Sequence, residues 1–482
     1  MKLHDIFPAA KEHGFENLDI TNVTDDTRNV REGSLFIAIK GENFNGEEAC
    51  GRVFEKGAAL VVTERDLGFS RQVVVSDARL TFAETAKKSC GNPTDRMKLI
   101  AVTGTNGKST VASLIKMILE RFGHKTGFIG TTGYDVCGSE VYEARLTVPK
   151  QDELYGLFAE MERNGAEYCV MEASSQALSQ RRIAGERFEC GVFTNLTRDH
   201  LDWHKTMEAY YQAKKTLFKM CAAAVINTDG EYGKRLAGET ESEFNIRART
   251  YGINGAADFC GVNIKSSSSG SAYWLLDNPA EKSFYVKFNM PGLFNAANSI
   301  AAIAACNAVG FDAGECAGAL EKCGGVRGRS EVIYNGDFTV ICDYAHTEDA
   351  LVKILVSARE YAKGRLICLF GAAGERDAEK RPAMGAAAAR LADFLIITSD
   401  NPRFEDPSAI IAQVEEGCSK LATPYRTFVD RKEAIEFALG EAGKGDTVLL
   451  CGKGHETCQV IGNDRQPFDE RIIVKNIMGV IG

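Results

Sequence analysis

Residues 97–122 limit the possible folds more than any other part of the sequence. An apolar run, MKLIAV, leads into the glycine-rich segment TGTNGKST, and apolar side chains then repeat at helical spacing. The repeat consists of Val111, Leu114, Ile115, Ile118, Leu119 and Phe122. A strand, a glycine-rich loop and a helix in this order form a phosphate-binding loop, where backbone N–H groups and the positive end of the helix bind phosphate. The sequence therefore predicts a sheet with a nucleotide bound at its edge.

The residues of this loop have separate predicted roles in binding the phosphates of a nucleotide. The loop consists of Gly104, Thr105, Asn106, Gly107, Lys108, Ser109 and Thr110. Lys108 would neutralise the outer phosphates, and Ser109 would present its hydroxyl to Mg²⁺. Only Thr105 and Asn106 separate the two glycines, so the loop is a shortened form of the usual phosphate loop.

Strands and helices alternate along most of the chain, which favours a mostly parallel sheet covered by helices. A chain of 482 residues has the length of about three domains. We expect an N-terminal domain over residues 1–92, a central phosphate-loop domain over residues 93–327 and a C-terminal Rossmann-like α/β domain over residues 328–482. Residues 251–290, which are rich in serine and glycine, favour an antiparallel hairpin region.

Composition narrows the class of protein further. The net charge of −9 gives the chain as a whole no electrostatic match for nucleic acid. Many of the 15 cysteines lie in apolar strand-like runs and none form a C-x-x-C pair, which indicates reduced, buried thiols. The N-terminus lacks the apolar core of a signal peptide, and no run of about 18 apolar residues occurs. We expect a soluble, cytoplasmic protein that acts as a monomer.

Polar residues follow two further strands of the predicted central sheet. Glu172 ends the run YCVME, and His200 ends the segment VFTNLTRDH. A carboxylate and an imidazole beside a phosphate loop suit a divalent metal ion, although each alone would more often be a surface or capping residue. Lys214 lies on a predicted helix, where a lysine is usually a solvated charge.

The shortened loop TGTNGKST and the segment from MEASSQALSQ to YYQAKKTLF resemble the Mur ligases and the related folylpolyglutamate synthetases. The resemblance implies an ATP-dependent amide ligase in which Lys214 is carboxylated by CO₂. Lys214 and His200 would then bind one Mg²⁺ ion and Glu172 another. The resemblance also assigns a group of residues to a UDP-muramoyl dipeptide: Thr147, Val148, Ser174, Gln180 and Arg182. Val148 and Gln176 replace a threonine and a histidine that are frequent in the family.

The two ends of the chain extend the resemblance. The N-terminal segment TDDTRNVREGSLFIAIKGENFNGEEA implies that Thr27, Glu42, Asn43 and Phe44 lie near the UDP group. Three residues match family positions that contact or close over ATP, namely Asn295, Arg329 and Asp343. As an ordinary residue at a domain boundary, Arg329 would simply be a surface arginine.

Three loops of the C-terminal domain follow predicted parallel strands and should meet at one sheet edge. Their polar residues and turn residues are Arg376, Asp400, Asn401, Pro402, Arg403, Gly452 and Glu456. Arginine for a carboxylate and glutamate for an ammonium suit a zwitterionic amino acid, although ordinary loop polarity would explain any one loop alone. Ala372 and Ala373 replace a glycine pair of the family motif.

The motif D-N-P-R resembles that of the ligases that add meso-diaminopimelate, in which the arginine, here Arg403, binds the distal carboxylate. The predicted reaction joins meso-diaminopimelate to UDP-MurNAc-L-Ala-D-Glu through an acyl phosphate. Two alternatives stay open, a lysine-adding ligase of the same step and a phosphate-loop ATPase switch that binds a protein partner. A folylpolyglutamate synthetase is disfavoured because such enzymes lack the N-terminal domain and the D-N-P-R loop.

Overall fold

The computed structural model describes residues 1–41 and 44–479, and the chain divides into two compact units. The first unit contains Met1–Thr103, Phe122–Gly191 and Ala213–Ala222. The second contains Gly104–Arg121, Val192–Gln212 and Ala223–Gly482. The predicted domain boundaries at residues 92 and 327 stay a prediction.

The strands of the described residues are numbered in chain order. They are β1 Asn22–Thr24, β2 Ser34–Ile37, β3 Ala58–Thr63, β4 Gln72–Val74, β5 Lys98–Thr103, β6 Thr126–Gly130, β7 Gly133–Asp135, β8 Val141–Tyr142, β9 Tyr168–Glu172, β10 Phe188–Phe193, β11 Cys221–Asn227, β12 Arg249–Gly252, β13 Phe259–Ser267, β14 Gly270–Asp277, β15 Lys282–Phe288, β16 Glu331–Asn335, β17 Thr339–Asp343, β18 Leu366–Phe370, β19 Phe394–Thr398, β20 Tyr425–Phe428, β21 Thr447–Cys451, β22 Cys458–Ile461 and β23 Asp464–Pro467.

The α-helices are numbered in the same way. They are α1 Leu3–Ile6, α2 Cys50–Glu55, α3 Ala78–Ser89, α4 Lys108–Arg121, α5 Gln151–Arg163, α6 Ser175–Ser179, α7 Leu201–His204, α8 Met207–Lys215, α9 Glu231–Phe244, α10 Leu293–Ala308, α11 Ala313–Glu321, α12 Glu348–Tyr361, α13 Lys380–Leu391, α14 Pro407–Cys418, α15 Arg431–Glu441 and α16 Glu470–Met478. Short 3₁₀ helices cover Pro8–His13, Gly46–Ala49, Pro93–Arg96 and Thr216–Met220.

The first unit begins with a small parallel sheet in the order β1-β2-β3-β4. All four residues of β2 are buried, as expected for a central strand covered on both faces. The same unit carries the parallel strands β5, β9 and β6, with β9 in the middle. Val102 of β5 pairs with Glu172 of β9, so Glu172 lies beside the end of the strand that runs into the phosphate loop.

The second unit begins with the phosphate loop, and α4 starts within this loop at Lys108. Its predicted apolar face is confirmed, since Val111, Leu114, Ile115, Ile118 and Leu119 are all buried. The helix ends at Arg121, and α10 packs against it. Strands β11, β12 and β13 are parallel, whereas β13, β14 and β15 form antiparallel pairs. The antiparallel hairpin region predicted for residues 251–290 is therefore confirmed.

The C-terminal sheet has the order β16-β17-β21-β18-β19-β20, and only its edge strand β16 is antiparallel. Helices α12, α13 and α14 contribute to an apolar core on one face, and α15 and α16 contribute to a core on the other. Neighbouring residues of β17, Val340 and Ile341, belong to opposite cores because side chains alternate along a strand. The predicted fold class, α/β with a mostly parallel central sheet and a Rossmann-like C-terminal sheet, is confirmed.

All 15 cysteines have free thiols, and most of them are buried, as the sequence predicts. Burial raises the pKa of the Cys50 thiol to about 11, which keeps it protonated at neutral pH. Among the helices of the described residues, none combines the length and the apolar character needed to cross a membrane.

Candidate active site

The phosphate loop has a backbone shape that requires its two glycines. Gly104 and Gly107 have φ angles of 149° and 87°, which residues with a side chain rarely adopt. A Cβ atom at Gly107 would also lie 2.5 Å from Oδ1 of Asn298. Nζ of Lys108 donates to the carbonyl oxygens of Gly104 and Thr105 at 3.0 and 2.9 Å. The predicted loop residues therefore share one compact turn at the start of α4.

Arg329 lies against this loop. Its Nη2 donates to Oγ of Ser109 at 2.8 Å, and its guanidinium stacks over the ring of Tyr344 at 4.6 Å from the ring centre. Its Nε is buried and has no hydrogen-bond partner among the described residues. The structure thus places the Arg329 guanidinium, which can donate a further hydrogen bond through Nε, beside the Ser109 hydroxyl that is predicted to bind Mg²⁺.

Asn295 and Asp343 are buried and connected through Ser330. The amide of Asn295 donates to Oγ of Ser330 at 3.2 Å, and the backbone N–H of Ser330 donates to Oδ2 of Asp343 at 2.6 Å. Burial raises the pKa of Asp343, and the Arg329 guanidinium partly opposes that rise. These two residues therefore fix the segment that carries Arg329.

A contact that the sequence did not indicate joins the phosphate loop to α12. Nδ2 of Asn106 donates to Oδ2 of Asp349 at 2.7 Å, and Nζ of Lys353 donates to the same oxygen at 2.7 Å. In the sequence, Asp349 is typical of an acidic residue in the first turn of a helix. Nothing in the pattern predicted that it accepts a hydrogen bond from a loop 243 residues earlier.

His200 and Asp199 end the loop after β10. Burial would raise the pKa of Asp199, but His200, Lys380 and His346 outweigh burial and lower it. His200 has a φ of 53°, in the left-handed region, and its backbone N–H donates to Oδ1 of Asp199 at 2.9 Å. A charged carboxylate therefore holds the backbone of the residue that was predicted to bind metal.

In the first unit, Glu172 has one satisfied and one unsatisfied carboxylate oxygen. Oε1 accepts hydrogen bonds from the backbone N–H and the hydroxyl of Thr131, both at 2.8 Å. Oε2 is buried and has no hydrogen-bond partner in the described part of the chain. A buried carboxylate oxygen without a hydrogen-bond partner is a suitable ligand for a cation.

Lys214 lies near the end of α8 and is only 1% exposed, so the expected solvated charge is wrong. Within residues 1–41 and 44–479, no three His, Cys, Asp or Glu side chains are grouped closely enough to hold a metal ion.

The residues predicted to hold the dipeptide lie in the first unit, and three of them are in contact. Arg182 donates through Nη1 to the carbonyl oxygen of Val148 at 2.6 Å and through Nη2 to Oε1 of Gln180 at 2.6 Å. Oγ of Ser174 accepts from the backbone N–H of Ala177 and caps α6. These contacts tie the turn after α6 to the segment that contains Val148.

The segments around the other predicted dipeptide and UDP residues are also in the first unit. Lys150, which follows Thr147 by three residues, forms an ion pair of 3.1 Å with Asp25. The carbonyl oxygen of Thr27 accepts from Nζ of Lys56, and Phe44 is exposed. Glu42 and Asn43 lie outside the described residues.

The three predicted amino-acid loops follow β18, β19 and β21, and the structure brings them together. Nδ2 of Asn401 donates to Oε2 of Glu456 at 2.9 Å. A Cβ atom at Gly452 would lie 2.6 Å from Oδ2 of Asp400, so the loops approach each other too closely for a side chain at that position. Asp400, Asn401 and Glu456 therefore belong to one cluster at the carboxyl edge of the sheet.

Arg403 has a fixed backbone and a half-buried side chain. Its φ is 53°, its N–H donates to the carbonyl of Val460 at 3.1 Å, and its carbonyl accepts from Gly462 at 2.7 Å. Its Nη1 donates to the carbonyl oxygen of Gly374 at 2.8 Å. Burial and the neighbouring Arg376, which is exposed, lower the pKa of Arg403. The hairpin of β22 and β23 thus holds the D-N-P-R loop by its backbone.

Comparison with known proteins identifies the family. Residues 102–306 match the Mur ligase middle domain, and residues 328–454 match the Mur ligase glutamate ligase domain. A curated ligase from Caldanaerobacter subterraneus subsp. tengcongensis is 41% identical, with 99% of each chain covered. The chain belongs to the Mur ligase family. Another curated Mur ligase, from Clostridioides difficile, is 39% identical with the same coverage. Both are named UDP-N-acetylmuramoyl-L-alanyl-D-glutamate–2,6-diaminopimelate ligase.

Solved Mur ligases support the same conclusion. A structure of a UDP-N-acetylmuramoyl-L-alanyl-D-glutamate–2,6-diaminopimelate ligase is 31% identical, covers 99% of each chain and has a TM-score of 0.72. A MurF ligase from Thermotoga maritima in complex with ADP has a TM-score of 0.62 at 18% identity, which shows the shared fold alone. The protein is a Mur ligase, an ATP-dependent enzyme, and the alternative of an ATPase switch is not supported.

Sequence reasoning missed the buried cations beneath the amino-acid loops of this Mur ligase. Arg431 donates to the carbonyl oxygens of Ser399 and Cys451, the residues at which two of the loops begin, and forms an ion pair with Glu470. Lys453 is completely buried within the third loop. Both residues are usual surface types, and nothing in the sequence distinguishes a buried cation from an exposed one.

Proposed function

We propose that this Mur ligase joins meso-2,6-diaminopimelate to UDP-N-acetylmuramoyl-L-alanyl-D-glutamate in peptidoglycan synthesis. The observation that carries the proposal is full-length similarity, at 38–41% identity, to curated ligases named for these two substrates. ATP phosphorylates the free carboxylate of the D-glutamyl residue. The amine of diaminopimelate then attacks the acyl phosphate, and the products are the tripeptide, ADP and phosphate.

The nucleotide would bind at the phosphate loop. Lys108, whose ammonium lies within the loop, would neutralise charge on the outer phosphates, and the N-terminus of α4 would add its positive end. Arg329 stabilises negative charge that develops on the transferred phosphoryl group, because its guanidinium already contacts Ser109. Asn295 and Asp343 hold the segment of Arg329 through Ser330. Asn295 is proposed to contact the adenine, and Asp343 is proposed to help close over ATP.

Two Mg²⁺ ions are proposed: a carboxylated Lys214 and His200 would bind one, Glu172 would bind the other, and Ser109 would present its hydroxyl to Mg²⁺. The unpartnered buried Oε2 of Glu172 fits a metal ligand. Lys214 is buried, and carboxylation would replace its cation by an anion with two oxygen ligands. When bound, Mg²⁺ screens the charge of the phosphates. Other residues of the protein orient these metal ligands. Thr131, for example, holds Glu172 through two hydrogen bonds.

The amino acid would bind at the three loops of the C-terminal sheet. Glu456, held by Asn401, recognises an ammonium group, while Arg403 and Arg376 recognise carboxylates. L-Lysine lacks the distal carboxylate, so it would leave the half-buried Arg403 without its anionic partner. This is the reason for preferring diaminopimelate over lysine.

The UDP-muramoyl dipeptide would bind in the first unit. Thr147, Val148, Ser174, Gln180 and Arg182 belong to segments that are tied together by the hydrogen bonds of Arg182. Thr27 and Phe44, with Glu42 and Asn43, are proposed for the UDP group. The expectation that the ligase acts as a cytoplasmic monomer stays a prediction.

Phosphate release by the purified protein tests the proposal. The assay contains ATP, Mg²⁺ and UDP-MurNAc-L-Ala-D-Glu, with either meso-diaminopimelate or L-lysine, and the product is identified by mass. We expect release that depends on diaminopimelate, together with a tripeptide product. Phosphate release with lysine alone would still indicate a ligase of this step, but it would refute the proposed role of Arg403. Release that is independent of both amino acids would refute the proposed reaction.

A further inference from the structure

Lys453 is a fully buried lysine at the centre of the amino-acid loops. It lies between Gly452 and Gly454, directly after β21, and is 0% exposed. Its Nζ donates to Oδ1 of Asn401 at 3.0 Å and to Oε2 of Glu456 at 2.7 Å. A buried ammonium is tolerated only when acceptors surround it, so its partners must keep these positions.

The Lys453 ammonium determines which way the Asn401 amide points. Oδ1 of Asn401 accepts from Nζ of Lys453 and also from the backbone N–H of Val460 at 2.9 Å. With two donors on the oxygen, the amide nitrogen must face the other way, where it donates to Oε2 of Glu456 at 2.9 Å. The rotated amide would place its N–H₂ against two donors.

The same contacts determine which oxygen of Glu456 can meet a ligand. Oε2 accepts from both Lys453 and Asn401, and the Glu456 side chain is 25% exposed. Oε1 is therefore the oxygen that Glu456 can offer to an ammonium group. The partly exposed carboxylate carries the ligand contact, while the buried lysine carries none.

Val460 links this ammonium end of the cluster to Arg403. The N–H of Val460 donates to Asn401, and its carbonyl accepts from the N–H of Arg403 at 3.1 Å. The chain of hydrogen bonds from Lys453 thus reaches the residue proposed for the distal carboxylate. A diamino dicarboxylic acid has an ammonium group for the Glu456 end of this series of hydrogen bonds and a distal carboxylate for the Arg403 end, whereas lysine lacks the distal carboxylate.

We propose that Lys453 is a positioning residue for the amino acid: its buried ammonium orients Asn401 and Glu456 so that Glu456 presents Oε1 to the incoming ammonium group. The inference rests on the proposed function. Lys453 touches no substrate in this arrangement and acts through Asn401 and Glu456. Its loss should weaken recognition of the amino acid and reduce the preference for diaminopimelate over lysine, and it should leave ATP binding unchanged.

The experiment compares Lys453→Met with Lys420→Met in the full-length enzyme. Methionine has nearly the length of lysine but no ammonium, and Lys420 is an exposed lysine of the same sheet domain. We expect Lys453→Met to raise the KM for meso-diaminopimelate about thirty-fold or more, the range found when one partner of a buried charged pair is removed. The KM values for ATP and for UDP-MurNAc-L-Ala-D-Glu should stay within about two-fold, and Lys420→Met should change none of the three.

A double-mutant cycle separates positioning from a general loss of structure. If Lys453 acts through Asn401, then adding Lys453→Met to Asn401→Ala should raise the KM for diaminopimelate much less than it does in the wild type. Thermal unfolding of each variant checks that it folds. If Lys453→Met does not fold, Lys453→Gln is the second variant, and we expect the same selective rise in KM to a smaller extent because its amide retains a donor.

The outcomes are distinct. A selective rise in the KM for the amino acid, non-additive with Asn401→Ala, supports the positioning role. An unchanged KM for diaminopimelate, or equal rises for all three substrates, overturns the role of Lys453 and leaves the ligase activity of the wild type intact. A wild-type enzyme that forms no tripeptide overturns the proposed function, and the inference about Lys453 is lost with it.

Discussion

The guanidinium of Arg329 donates a hydrogen bond of 2.8 Å to the hydroxyl of Ser109, which is 220 residues away in the sequence. Tyr344 supports the flat face of the same guanidinium, and Ser330, the next residue, is held by Asp343. These contacts fix the cation beside the phosphate loop. An arginine in this position can stabilise charge on a transferred phosphoryl group with little reorganisation.

Replacing Arg329 should reduce phosphoryl transfer more than nucleotide binding. We expect Arg329→Ala to lower kcat by about 100-fold or more, the usual effect of removing a donor aimed at developing charge. Arg329→Lys keeps the charge but cannot both stack on Tyr344 and donate to Ser109, so it should recover only part of the rate. Steady-state kinetics with ATP as the varied substrate measures both effects.

Arg327 provides the matched control for Arg329. It lies two residues earlier, is exposed and pairs with Asp469. Arg327→Ala should leave kcat and the KM for ATP within about two-fold of the wild type, as for most surface changes. Equal losses in the two variants would mean that Arg329 only maintains the local fold.

Local patterns predicted those parts of the site that depend on local structure. The face of α4 follows from apolar residues at helical spacing, and the phosphate loop follows from the glycines that precede it. The three amino-acid loops were placed at one edge because parallel strands end on the same side of a sheet. Each of these predictions needed only the neighbours of a residue along the chain.

Contacts between distant segments could not be predicted in this way. Thr131 satisfies one oxygen of Glu172, and Asp349 accepts a hydrogen bond from Asn106, yet neither partner carries a recognisable motif. The burial of Lys453 and Arg431 depends on how the strands of the C-terminal sheet and their loops assemble. The solvated charge expected for Lys214 was wrong for the same reason, since Lys214 lies on the face of its helix that is buried together with Tyr210 and Tyr211.

His346 should make the stability of the enzyme depend on pH. Burial, together with the nearby Lys380 ammonium, lowers the pKa of His346 to about 4, and Asp199 and Asp400 only partly oppose this. Between about pH 6.5, the ordinary pKa of histidine, and about pH 4, His346 binds a proton in the unfolded chain but not in the folded protein. Stability should therefore fall as the pH falls through this window, by at most about 3 kcal/mol from this residue.

Thermal unfolding of His346→Gln checks this linkage. Between about pH 7 and about pH 4.5 the variant should lose less of its Tm than the wild type, because glutamine does not titrate. His13→Gln, at an exposed histidine, should follow the wild type at every pH. If His346→Gln and the wild type lose Tm in parallel, then His346 does not contribute to acid destabilisation.

Lys214 should be essential, and its function should depend on CO₂. We expect Lys214→Ala to lower kcat by about 100-fold or more, since it would remove a metal ligand. Short carboxylic acids should restore part of the activity by supplying the missing carboxylate. Lys219→Ala, at an exposed lysine four residues after the end of α8, is the control and should retain full activity.

Carboxylation itself has an independent readout. Wild-type enzyme kept in buffer depleted of bicarbonate should lose activity and regain it when bicarbonate is returned. With isotope-labelled bicarbonate, NMR should detect a carbamate carbon in the wild type that is absent from Lys214→Ala. Full activity without bicarbonate, and no carbamate signal, would rule out carboxylation of Lys214.

Arg403 should control the choice of amino acid. Its guanidinium is half-buried and donates to Gly374, and its backbone is held in a left-handed conformation by Val460 and Gly462. Loss of the guanidinium should raise the KM for meso-diaminopimelate by about 10- to 1,000-fold, because one carboxylate of the substrate loses a charged partner. The KM for ATP should be unchanged, and turnover of L-lysine relative to diaminopimelate should increase.

Two variants separate the Arg403 side chain from its backbone conformation. Alanine is strained at a φ of 53°, whereas asparagine adopts the left-handed region more readily. Similar rises in the KM for diaminopimelate in Arg403→Ala and Arg403→Asn would assign the effect to the guanidinium, and a rise in Arg403→Ala alone would assign it to the loop. Arg390→Ala, at an exposed arginine of α13, should change neither KM. If both Arg403 variants raised the KM for ATP as much as that for diaminopimelate, the D-N-P-R loop would not be the amino-acid site.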